Sequence, residues 1–162
     1  MGYRSDAALA TRRKYYDEML RTAKTQDYSD EILYFLTRYA DCSISKDDRG
    51  ENTVVILRWK YVKWYNDFHE IAYVERWMDG EFDREFEYSF LRIGEDPDDT
   101  EIRCDENYSL DGVLTLAREI YVDADTTMFI PEIPDDPPQD DADLPEGTDF
   151  SISDFLNIKE DL

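Results

Sequence analysis

Thr53-Val54-Val55-Ile56-Leu57-Arg58-Trp59-Lys60-Tyr61-Val62-Lys63-Trp64 is the stretch on which the fold turns. β-branched and aromatic side chains dominate it, and these fit a pleated, half-buried surface better than a helix. It reads as one long central strand. Its neighbours in sequence must then pair with it or cover it. Upstream, Asp47-Asp48-Arg49-Gly50 is turn chemistry that joins it to residues 42–46, and residues 3–10 read as a short first strand. Between the two, Tyr15, Met19, Leu20 and Ala23 recur at the spacing of one helix face, which predicts a helix over residues 12–24. A second helix is expected with Ser29 as its cap and Ile32, Phe35, Leu36 and Tyr39 as its buried stripe.

Downstream, Asn66 stands where it can cap a third helix carrying Phe68, Ile71, Ala72, Val74 and Met78, with Asp79-Gly80 as its stop. Residues 85–94 and 100–108 are expected to pair as a hairpin around Glu95-Asp96-Pro97-Asp98-Asp99. Residues 113–122 alternate as a last strand, with Leu114, Leu116, Ile120 and Val122 on one side. Helices set among strands that neighbour in sequence predict an α+β domain over residues 1–122. Its helices would pack on a mainly antiparallel sheet in two layers, as in a ferredoxin-like relative. From Asp123 the composition changes. Pro131, Pro134, Pro137, Pro138 and Pro145 stand among ten acids between Asp123 and Asp149, the make-up of an extended acidic tail over residues 123–162. Near its end, Phe150, Ile152, Phe155, Leu156 and Ile158 form an apolar segment suited to docking on the chain's own domain or on a partner.

The 162 residues include 40 acids and 18 bases, for a net charge of −22. The charge is uneven: residues 1–60 hold 10 acids and 11 bases, and residues 61–162 hold 30 acids and 7 bases. Such a polyanion repels phosphate, so direct binding to nucleic acid or to an anionic membrane is disfavoured. Two cysteines, Cys42 and Cys104, make no disulfide framework, and no apolar run approaches a membrane span; both point to the cytoplasm.

The densest block runs from Asp79 to Asp111, with 13 acids against Arg84, Arg92 and Arg103. In it, Glu81-Phe82-Asp83-Arg84-Glu85-Phe86-Glu87-Tyr88 alternates strictly. As a strand, it would carry Glu81, Asp83, Glu85 and Glu87 on one face and Phe82, Phe86, Tyr88 and Phe90 on the other. Successive carboxylates would lie about 6.5–7 Å apart, close to the spacing of phosphates along a nucleic-acid strand. Glu95, Asp96, Asp98, Asp99 and Glu101 add to the array. Such an arrangement predicts a mimic of nucleic acid, offered to an Arg- and Lys-lined groove.

Other chemistry finds less to stand on. Asp105-Glu106-Asn107-Tyr108-Ser109-Leu110-Asp111 begins like a calcium loop but has Leu110 where the loop needs Gly, and Leu116 where it needs Glu. A magnesium site at Asp96, Asp98 and Asp99 would lack the phosphate-binding loop that usually accompanies one. His69 has no nucleophile aimed at it, and no phosphate-cradling glycine motif occurs. No catalytic residue, metal or cofactor is therefore expected. The alternation of Arg58, Lys60 and Lys63 with Trp59, Tyr61, Trp64 and Tyr65 could stack single-stranded bases, but it reads better as packing. In that reading its bases pair with the acidic hairpin across the sheet, and a Trp patch is left for self-association.

Three segments carry a resemblance: Gly2-Tyr3-Arg4-Ser5-Asp6, residues 57–65, and Tyr88-Ser89-Phe90-Leu91-Arg92-Ile93-Gly94-Glu95-Asp96. Together they resemble a family of small phage and prophage proteins over about residues 2–122. The resemblance implies no activity of its own. It implies a context in which small acidic proteins block host defence proteins, including anti-CRISPR and anti-restriction inhibitors that imitate DNA. The first expectation is thus a non-enzymatic inhibitor in the host cytoplasm, its partner a host protein with a basic nucleic-acid-binding groove. The second is an adaptor or assembly protein, dimerising through its sheet and using the apolar tail segment.

Overall fold

Chain order, in a computed structural model that describes residues 3–46, 50–82, 85–117 and 120–135, runs as follows. β1 (Ser5–Arg12) leads into α1 (Arg13–Ala23) and α2 (Ser29–Thr37), then β2 (Asp41–Ser45) and a single 3-10 turn at Gly50–Asn52. β3 (Val54–Val62), α3 (His69–Met78), β4 (Tyr88–Gly94) and β5 (Thr100–Cys104) follow. The short strands β6 (Leu114–Leu116), β7 (Ile120–Val122) and β8 (Thr126–Met128) come last. Six strands form one sheet in the order β5-β4-β1-β3-β2-β8, and each neighbouring pair is antiparallel. The expected α+β architecture is present.

β1 and β3 sit at the centre and are buried on both faces, which is why the Val54–Val62 run lacks a clean polar alternation. Ala7, Leu9, Val55, Leu57, Trp59 and Phe90 face the helices. Trp59 is fully buried there, its indole N–H donating to the Phe35 carbonyl at 2.8 Å and its ring stacked on Phe35 at 4.6 Å. Ala8, Ala10, Val54, Ile56 and Leu91 face the other way, under a cover made by Leu110 and the β6–β7 hairpin. The sheet therefore has a small third layer, beyond the two expected.

That layer also corrects the last strand. Residues 113–122 fold back on themselves, so Leu114 lies across from Val122 and Leu116 from Ile120. Cross-strand partners share a face, so the four apolar residues still line one side, now of a hairpin. Two helix caps differ as well. Ser29 is the first residue of α2, whose N-cap is Tyr28 in the left-handed region (φ 63°). Asn66 lies in a turn ahead of α3, whose N-cap is Phe68. Tyr39 falls past the end of α2 and is exposed. The stop of α3 is as expected. Gly80 takes φ +78° and donates to the Trp77 carbonyl while Glu81 N–H reaches Arg76, the paired bonds of a glycine-ended helix.

The fold also runs beyond the expected boundary at residue 122. β8 pairs with β2, and Phe129 and Ile133 pack against the helix-side core. A three-residue edge strand has too short a pattern to be read against the acidic, proline-rich residues around it. Phe150, Ile152, Phe155, Leu156 and Ile158 lie outside the described residues. Among the described residues, no helix is long and apolar enough to cross a membrane.

Candidate functional site

The acidic hairpin exists, but its carboxylates are arranged differently from the expectation. β4 and β5 pair with Arg92 opposite Glu101 and Ile93 opposite Thr100, and residues 95–99 close the turn. The described part of the run ahead of it forms no strand: Glu81 and Phe82 belong to the turn after α3, residues 85–87 are irregular, and Asp83 lies outside the described residues. The aromatics explain why. Phe82 stacks on Trp77 at 4.8 Å, and Phe86 packs against Trp77 and Tyr88 and edge-on to Tyr15. These rings anchor the connection to the core, and among the described residues no strand pairs with it to hold it extended.

Much of the negative charge is answered from within the chain. Glu81 lies 3.7 Å from Arg76; Glu87 lies 3.6 Å from Arg12 and accepts the Tyr15 hydroxyl at 3.2 Å. Arg92 grips Asp99 with both terminal nitrogens (2.8 and 3.2 Å) and donates from Nε to Glu101 at 3.0 Å. Arg103 reaches Glu75 on α3 at 2.5 Å and Asp79, which caps the end of that helix, at 2.6 Å. The bases of β3 take no part in these pairs, because β1 lies between β3 and β4. Nor does β3 show a tryptophan patch: Trp59 is internal, and Trp64 is half-buried with its indole N–H on Glu75 at 2.8 Å.

The turn itself is braced. Tyr3 donates its hydroxyl proton to Asp99 at 2.7 Å and accepts the Asp96 N–H at 2.9 Å, and Arg4 N–H donates to Glu95 at 2.6 Å. The Arg92 hydrogen bond, and after it the Tyr3 hydroxyl, hold the Asp99 carboxyl below its ordinary range. Gly94 permits the approach, since a Cβ there would overlap the Asp99 carboxylate and the Tyr3 hydroxyl. Asp96 and Asp98 are exposed, as are Glu85 and Glu106, and among the described residues no ion pair holds any of the four. Of the expected site residues, the fold thus groups Glu95, Asp96, Asp98, Asp99 and Glu101 at the β4–β5 end. Glu81, Glu85 and Glu87 lie apart on the connection from α3. Tyr3, Arg92 and Gly94 were missed, because only the pairing of β1 with β4 brings Tyr3 to the turn.

The remaining candidates have structural work. Asp105 collects the Ser109 hydroxyl at 2.7 Å and the N–H groups of Ser109, Asn107 and Tyr88. Burial pushes its carboxyl up, and these bonds outweigh it and hold it low. The failed calcium loop is therefore a turn tied to its own aspartate. His69 stacks on Tyr28 at 3.6 Å, joining the starts of α2 and α3. Cys42 points its thiol at carbonyls of the α2 end, the nearest being Thr37 O at 3.5 Å. Among the described residues, no group of three or more His, Cys, Asp or Glu is placed to hold a metal ion. Compared with known proteins, the chain matches no family model, no curated protein and no solved structure.

Proposed function

We propose that this protein acts by binding another protein and does no chemistry of its own, presenting the acidic turn at residues 95–99 to a basic groove that otherwise holds nucleic acid. A phage-encoded inhibitor of a host defence protein, working in the host cytoplasm, is the form of this reading that the sequence resemblance suggests. The observation that carries it is the braced turn. Asp99 and Glu95 are spent on fixing the loop to Tyr3, Arg4 and Arg92, and this leaves Asp96 and Asp98 exposed in a set position. A carboxylate array held in place before binding loses little freedom on meeting its partner, and its field speeds the encounter. The architecture supports a ferredoxin-like relative as the scaffold. β4-β1-β3-β2 is the order of a split β-α-β pair, with α1–α2 and α3 as its two crossovers.

The test is capture from host lysate by the tagged full chain at about 50 mM and about 500 mM salt, with duplex DNA as competitor. A nucleic-acid-binding protein held at low salt, released by high salt and by DNA, is the expected catch. The Asp96→Asn/Asp98→Asn double variant should lose most of it, while neutralising two tail acids, Asp140 and Asp141, should change little. A catch indifferent to salt and DNA, or equal losses from the two double variants, would rule the reading out.

A further inference from the structure

β5 is an outermost strand of the main sheet and pairs only with β4 among the described residues. Bonds at the two ends of that pair fix which backbone groups look outward. Gly94 N–H donates to Asp99 O at 2.7 Å, and Asp105 N–H donates to Tyr88 O at 3.3 Å. With Arg92 opposite Glu101 and Phe90 opposite Arg103, residues 99, 101, 103 and 105 turn their backbone groups towards β4. Thr100, Ile102 and Cys104 therefore turn theirs away from it. Ile102 is 67% exposed, with its side chain on the face opposite the one from which Arg103 reaches α3. An open edge with an exposed isoleucine at its centre is a template for another strand.

Charge decides which strand fits. A second copy docked antiparallel about Ile102 would set Glu101 against Arg103, which is favourable, but both are already paired within their own chain. Beyond Thr100 against Cys104 it would set Asp99 against Asp105 and Asp98 against Glu106, at both ends of the contact. Like charges directly opposite each other destabilise a strand pair. The complementary strand carries an apolar residue at its centre and Lys or Arg at both ends.

We propose that the outer edge of β5 is a strand-addition site for an extended basic segment of a partner protein. The segment would continue the sheet past Thr100–Cys104, taking the outward backbone groups of Ile102 and Cys104 and setting its basic ends beside Asp98 and Glu106. This rests on the reading that the acidic end of the sheet meets a basic partner, and it adds backbone pairing as the means of recognition.

The probe is a short labelled peptide, KRTVTVRK, acetylated and amidated, titrated with the full chain at low salt. Binding should weaken about tenfold or more in Ile102→Pro, which removes an outward N–H and leaves the ladder to β4 intact. It should weaken by a similar factor when the peptide's alternate amides are N-methylated, its charge unchanged. Asp98→Asn/Glu106→Gln should reduce affinity several-fold and flatten the dependence on salt. Should Ile102→Pro not fold, the N-methylated peptide decides alone, since it leaves the protein untouched. Equal binding of methylated and unmodified peptides would overturn strand addition while leaving the acidic-partner reading standing. Failure of the unmodified peptide to bind would overturn it whatever the lysate capture returns. So would a dimer of the wild-type chain that Ile102→Pro dissolves, since a second copy would then be the occupant.

Discussion

The two faces of the central sheet are covered by quite different means. On one face three helices bury a continuous aromatic mass, in which Phe35, Trp59, Trp64 and Phe90 touch one another and Trp77 gathers Phe82 and Phe86. On the other, alanines at positions 8 and 10 keep the surface low, and two three-residue strands suffice as a lid. The same strand β1 supplies both, since its side chains alternate between faces. Burial on both sides is what makes β1 and β3 central. It also pushes the charged hairpin to the edge, where its carboxylates stay in reach of water and of a partner.

Adjacent residues of β4 test this contrast most directly. Phe90 points into the helix side and Leu91 into the hairpin side, and both are buried. Phe90→Ala should cost about 4 kcal/mol, because the packed rings around it cannot close the cavity. Leu91→Ala should cost about 2–3 kcal/mol, because a short hairpin can settle into the space. Chemical denaturation of both variants checks the order, and equal losses would mean that the hairpin is as rigid a cover as the helices.

Gly94→Ala comes next, at about 1–3 kcal/mol. The added methyl collides with Asp99 and Tyr3, so the loss should come with release of the turn, seen as faster amide exchange at Asp96. Unchanged exchange would show that the brace is dispensable.

Asp99→Asn should cost about 1 kcal/mol at neutral pH, since the pair with Arg92 is only partly shielded from water. The sign of its pH dependence follows from the lowered carboxyl. Its contribution is present above the ordinary aspartate value of 3.8 and is lost as pH falls through the still lower folded value. The gap between wild type and Asp99→Asn in thermal unfolding should therefore close below about pH 4. A gap that persisted would assign the loss to shape and not to charge. Glu85→Gln, at an exposed position with no ion pair among the described residues, should stay within about 0.5 kcal/mol.

Much was legible in the order of residues. The long β-branched strand, the three helices and the β4–β5 hairpin follow from local periodicity, because a helix face or a strand face shows itself within a few residues. So does the inward set of Phe82, Phe86, Tyr88 and Phe90, even though the first two lie outside any strand. What local pattern could not separate was a strand from an irregular connection with the same alternation. Both bury every second residue, and they differ only in whether another strand lies alongside.

The sequence by itself determined the charge, the apolar positions and where the chain can turn, since these are properties of residues and their near neighbours. Only the tertiary structure decided which carboxylates remain free. That depends on β1 lying between β3 and β4, on Tyr3 arriving at a turn some 90 residues away, and on Arg92 and Arg103 reaching back to acids on other elements. Contacts that distant are set by sheet order, and sheet order is chosen by how both faces of the central strands come to be buried.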